Sequence, residues 1–77
     1  MNRKRRDVLH ATIQLLEGAK QSVENVRDEE QESLDNMPEN LERSDRYVSI
    51  EHAVDMLDDA IDNIVQATED IESAINC

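Results

Sequence analysis

Residues 47–75, YVSIEHAVDMLDDAIDNIVQATEDIESAI, decide the fold. Tyr47, Ile50, Val54, Leu57, Ile61, Ile64, Thr68, Ile71 and Ile75 recur at steps of 3 and 4 without a slip. That spacing keeps one edge of an α-helix pointing in one direction, whereas a strand would need alternation by two. Ala53, Ala60, Ala67 and Ala74 recur every seven residues beside the stripe, and their lack of bulk suits the close approach of a facing helix. Ser44 or Asp45 is placed to cap this helix by accepting from an orphaned backbone N–H, so it spans about 45–75.

Outward from this stretch, Met37-Pro38-Glu39-Asn40-Leu41 interrupts helical periodicity, because proline disfavours helix before it and removes a donor behind it. Upstream, Leu9, Thr12, Leu16, Ala19, Val23 and Val26 step by 3 and 4 and define a first helix over about 5–36. Continued, the same stripe reaches Glu30 and Ser33, so its apolar character fades before Met37. A connection over about 37–44 makes the helices antiparallel neighbours. The expected fold is one all-α domain over 1–77, a coiled-coil-like two-helix hairpin. A turn centred near residue 41 sets residues whose numbers add to about 83 at one level.

The chain of 77 residues has one Gly, one Pro, no Phe or Trp, and 35% charged residues. Low hydropathy with high charge is also the signature of disorder, but the unbroken periodicity argues for helices. So short a chain buries only about 60% of its unfolded surface, which favours self-association. Val8, Ile13, Leu15, Met56 and Val65 lie outside the main stripes and supply apolar surface beyond what two helices need for each other. Pairing of two hairpins into a four-helix bundle would cover them, and a homodimer is therefore expected.

Net charge is −11, unevenly placed. Arg3, Lys4, Arg5 and Arg6 hold four of the eight basic groups and residues 1–6 hold no acid, leaving residues 7–77 with a balance of −15. Asp55, Asp58, Asp59, Asp62, Glu69 and Asp70 fall away from the apolar stripe and predict an acidic outer face. Asp28, Glu29, Glu32, Asp35 and Glu39, with Glu30, Asn40 and Leu41, predict an acidic hairpin tip. Such surfaces keep a small protein soluble and fit a basic protein partner. A row of carboxylates also imitates a phosphate backbone, so the alternative is a nucleic-acid mimic occupying a basic DNA- or RNA-binding channel. Direct nucleic-acid binding is disfavoured by the acidic body. The basic cluster is expected to be neutralised within the hairpin by Glu69, Asp70 and Glu72 at the negative end of the second helix.

Catalysis is not expected, because a two-helix rod offers no pocket of convergent groups. Glu30, level with His52 and Val54, with Glu51, Asp55 and Tyr47 nearby, is the one polar cluster to weigh. It lacks the Glu-x-x-His order of di-metal bundles and reads instead as a register-fixing contact of Glu30 with His52 or Arg46, or of Ser33 with Tyr47. No metal site or cofactor is assigned. Cys77 can form no internal disulfide and reads as an incidental thiol. No apolar run reaches the roughly 18 residues of a membrane span and no signal-peptide pattern follows the basic cluster, so a cytoplasmic protein is expected.

Asp28-Glu29-Glu30-Gln31-Glu32-Ser33-Leu34-Asp35-Asn36-Met37-Pro38-Glu39-Asn40-Leu41, followed by Ser44, Arg46-Tyr47, Ala53-Val54, Leu57, Ala60-Ile61 and Ile64, resembles a group of small acidic helical proteins from phages and mobile elements of Gram-positive bacteria. The resemblance covers residues 24 to about 75 and is most specific in the acidic run ending Met-Pro-Glu-Asn-Leu. It implies a context in which a small protein binds and inhibits or redirects a host protein. It carries over no functional residue.

Overall fold

A computed structural model describes residues 1–41 and 44–77. Two helices, α1 (Arg3–Asp35) and α2 (Asp45–Ile75), flank a single 3₁₀ turn at Glu39–Leu41, and α1 packs along α2. No strand occurs among the described residues, so the chain is all-helical.

Each helix begins where a side chain can take over an orphaned N–H. Asn2 Oδ1 accepts from the Arg5 N–H at 2.9 Å, which starts α1 two residues before the expected position 5. Ser44 Oγ accepts from the Tyr47 N–H at 3.2 Å, selecting Ser44 over Asp45 as the cap. Asp45 then sits in the first turn of α2, near the positive end of its dipole. At the other end of α1, Asn36 N–H donates to Glu32 O and Met37 N–H to Leu34 O. Beyond Pro38 the chain reverses through short-range bonds, Leu41 N–H to Pro38 O at 2.9 Å and Ser44 N–H to Leu41 O at 3.0 Å. No described residue has a positive φ, so this reversal needs no glycine.

The molecule is a rod of 59 × 16 × 13 Å with a radius of gyration of 17.5 Å, against about 11.5 Å for a compact chain of this length. Its accessible surface is 5818 Å², whereas a compact monomer of the same mass exposes about 4,800 Å². Among the described residues only Leu34, Val54, Thr68 and Ile75 are buried, and none has a fully enclosed side chain. The Thr68 hydroxyl donates to Ile64 O at 3.0 Å and brings no unsatisfied donor into the seam.

All nine members of the α2 stripe are buried or half-buried, and the alanine column is half-buried beside them. On α1 the expected stripe is half right. Leu9, Leu16 and Val23 face α2, but Ala19 and Val26 are exposed, and Thr12 shares its level with half-buried Ile13. The inward edge runs Leu9, Ile13, Leu16, Lys20, Val23, Arg27, Glu30, Leu34 and Met37. Ile13 and Leu34 fix this phase with large side chains near the two ends. Between them Lys20 and Arg27 lay their aliphatic stems on the seam and carry their charges to its edge. Lys20 Nζ lies 3.6 Å from Glu17 and 4.0 Å from Glu24, and Arg27 Nε donates to Asp58 Oδ1 across the helices at 2.8 Å.

That cross-helix bond joins residues whose numbers add to 85, close to the expected 83. At either sum Arg3–Arg6 lie beyond the last turn of α2. Val54→Asp places a charge at the most enclosed side chain, 4% exposed, and is expected to cost more than about 3 kcal/mol and abolish helicity. Asp59→Lys, on the exposed side, is expected to shift stability by less than about 0.5 kcal/mol. Thermal melts followed by circular dichroism check both, and equal melting of the two variants would overturn the assignment of inner and outer faces.

Candidate partner-binding surfaces

A two-helix rod has two flanks, and the clefts that bridge the helices assign residues to each. Near the turn, Ser33 and Glu29 share a cleft with Arg46. Ser33 continues the α1 column of Thr12, Ala19 and Val26, and Arg46 continues the alanine column of α2, so these columns border one flank. On the opposite flank Gln31, Leu34 and Asp35 share a cleft with Tyr47, Glu51, Val54 and Asp55. Gln31 continues the column of His10, Glu17 and Glu24, and Glu51 the column of Asp58, Val65 and Glu72. One flank is thus rich in alanine, the other in carboxylates.

The expected acidic face is present but smaller than six residues. Asp55, Asp59, Asp62 and Glu69 are exposed in one line at steps of 4, 3 and 7, about 21 Å long at 1.5 Å per residue. Asp70 is exposed at the edge toward the alanine flank and accepts from Gln66 Nε2 at 3.0 Å. Asp58 departs from the expectation: it is half-buried and accepts from Arg27, so it fixes the hairpin and is not free for a partner. The Arg27 guanidinium is held above its ordinary pKa, first by that hydrogen bond.

The expected hairpin tip divides between flanks. Asp28 and Asp35 lie toward the acidic flank, Asp35 accepting from Gln31 Nε2 at 2.9 Å, while Glu29 and Glu32 border the cleft on the alanine flank and Glu39 occupies the turn. Glu51, expected near Asp55 and Tyr47, lines a cleft with both and with Asp35 of α1. Three carboxylates from two helices therefore surround one cleft floored by Leu34, Tyr47 and Val54. The period-seven column of Glu51, Asp58 and Glu72 was the available signal.

The Glu30 cluster does not form. His52 is exposed, Ser33 Oγ donates to Glu29 O of its own helix at 3.2 Å, and among the described residues half-buried Glu30 makes no ion pair. Nor do Arg3–Arg6 pair with Glu69, Asp70 or Glu72, because the overhang of α1 carries them past that level. Of the expected dimer residues, Val8 (59% exposed), Leu15 (74%) and Met56 (51%) share the alanine flank, and Val26 (49%) joins them. Val65 lies on the acidic flank, and Ile13 belongs to the hairpin's own seam. Among the described residues, no helix is long and apolar enough to cross a membrane, and no three His, Cys, Asp or Glu side chains gather closely enough to hold a metal ion.

No match is found. Neither a family model, nor a curated protein, nor a solved structure is similar to this chain.

Glu30 is a carboxylate on the apolar edge of α1, level with Val54 and without an ion-pair partner among the described residues. Glu30→Leu extends the seam and is expected to raise stability by about 1 kcal/mol, part of the value for full burial of a leucine. Urea unfolding would read this as a higher midpoint at unchanged slope, and a lower midpoint would contradict the inward placement of residue 30.

Proposed function

We propose that this protein is a non-catalytic interaction module, a hairpin that pairs with a second copy in a four-helix bundle and presents its acidic flank to a basic protein. The observation that carries this reading is the cleft lined by Asp35 of one helix and Glu51 and Asp55 of the other, with Leu34, Tyr47 and Val54 beneath. An arginine or lysine head group fits this arrangement, because its charge would meet carboxylates from both helices. The line from Asp55 to Glu69 extends the same field along α2.

Dimerisation is supported by the surface that the rod leaves open, with Val8, Leu15 and Met56 sharing the alanine flank. The same proposal extends to a phage or mobile-element context, in the cytoplasm, in which the protein binds and inhibits or redirects a host protein. A second reading, nucleic-acid mimicry, draws on the line of Asp55, Asp59, Asp62 and Glu69. Elution with duplex DNA of a partner captured from lysate separates the two, since a mimic alone competes with DNA for its partner's channel.

A fluorescent peptide alternating arginine and serine provides a defined probe of the acidic flank. Its affinity is expected to fall by about tenfold or more between low and physiological salt, as contacts between exposed charges do. Glu51→Lys with Asp55→Lys is expected to abolish binding, whereas Asp70→Lys with Glu72→Lys, an equal change in net charge, reduces it only a few-fold. Equal loss from both pairs would reduce the flank to a diffuse negative field and remove the cleft as a site.

A further inference from the structure

The strip of α1 on the alanine flank, exposed except at half-buried Thr12, is complementary to itself when turned end for end. Its successive residues include Arg5, Val8, Thr12, Leu15, Ala19, Ser22, Val26 and Glu29. Pairing each position with the one whose number brings the total to 34 sets Arg5 against Glu29, Val8 against Val26, Thr12 against Ser22, and Leu15 against Ala19. A cation meets a carboxylate, valine meets valine, and the largest apolar side chain of the strip meets the smallest. The Thr12 and Ser22 hydroxyls already donate to Val8 O at 2.8 Å and Gly18 O at 3.2 Å, so neither carries an unpaired donor into the contact. Sliding by one heptad either way would set Thr12 against Leu15 or against Glu29, and no other register matches all four pairs.

We infer that α1 packs antiparallel on α1 of a second copy of this chain, about a two-fold axis at the level of Glu17, with Arg5 of each copy against Glu29 of the other. This rests on the dimer proposed above and specifies its register. A two-fold axis makes every contact twice, as an isologous interface requires. By the hairpin register the same axis crosses α2 beside Ala67. The alanine column is symmetric about that residue, so Ala67 meets its own copy and Ala60 meets Ala74. A single axis therefore serves both helices, and their small side chains allow the two layers to approach closely.

Three observations select a second copy as the occupant. The overhang puts Arg5 beyond α2, where no carboxylate of its own chain pairs with it among the described residues. In the antiparallel register Arg3–Arg6 come to the level of Asp28–Gln31 of the other copy, where Asp28, Glu29 and Glu30 set opposite charges against them in spite of the acidic body. The surface of 5818 Å² exceeds that of a compact monomer by about 1,000 Å², close to the roughly 800 Å² per partner of a standard interface.

Charge exchange tests the register in the full chain. Sedimentation equilibrium is expected to show a dimer for the native sequence. Arg5→Glu and Glu29→Arg, each of which makes two contacts repulsive, are expected to weaken association about tenfold. The double variant R5E/E29R is expected to return it to within about threefold, with circular dichroism showing equal helicity throughout. A dimer indifferent to both single changes, or not rescued by the double, would overturn the register and leave the dimer standing. A native chain that stays monomeric at every concentration would overturn both.

Discussion

Two helices in contact enclose a line and not a volume. Every residue of the seam here has one flank of the rod beside it, which is why Val54 is 4% exposed yet no side chain among the described residues is wholly enclosed. The hairpin must therefore be held by the completeness of its stripe and not by a deep core. α2 provides that completeness, with nine successive seam positions occupied by apolar side chains, a tyrosine and a threonine whose hydroxyl is satisfied. α1 does not, and the charged residues on its edge shape the rest of the molecule.

Lys20, Arg27 and Glu30 interrupt the inward edge of α1 where α2 offers unbroken apolar surface. Of the three, only Arg27 reaches across to a carboxylate of the other helix, and Asp58 is thereby drawn out of the acidic face and into the hairpin. Such a pair at the edge of a seam adds little net stability, because its charges remain partly hydrated. It selects one register, since a shift by a single residue would separate the guanidinium from its carboxylate. The overhang of α1 follows from that register together with the start of α1 at Asn2, and it carries the basic cluster away from the acids that were expected to neutralise it.

α2 was legible from residue spacing because its side chains agree on a single phase. α1 was harder to read because two phases share Leu9, Leu16 and Val23. The column of Thr12, Ala19 and Val26 is the more apolar over the middle of the helix, whereas Ile13 and Leu34 mark the other. Periodicity scores Lys20 and Arg27 as polar and so favours the wrong column, although their stems are hydrocarbon and their heads reach the seam's edge. The place of Glu51 in one cleft with Asp35 depends on which flank the two share, a relation that one helix read alone does not contain. The Asn2 cap carries a weak signal because Arg3, Lys4, Arg5 and Arg6 follow it, whereas the first turn of a helix favours acidic residues.

The two flanks differ in what they can hold. The alanine flank has Val8, Leu15 and Val26 in water and small side chains opposite, so covering it releases hydration at little steric cost. The acidic flank has carboxylates along both helices, and burying it against anything but cations would incur a large desolvation penalty. A copy of the same chain suits the first flank and is repelled by the second. A basic surface suits the second and gains little from the first. Because the flanks lie back to back across a rod only 13–16 Å thick, occupying one leaves the other open. Pairing through the alanine side would turn two acidic flanks outward on opposite faces of the assembly, so a dimer would offer a basic partner two equivalent sites related by its own symmetry axis.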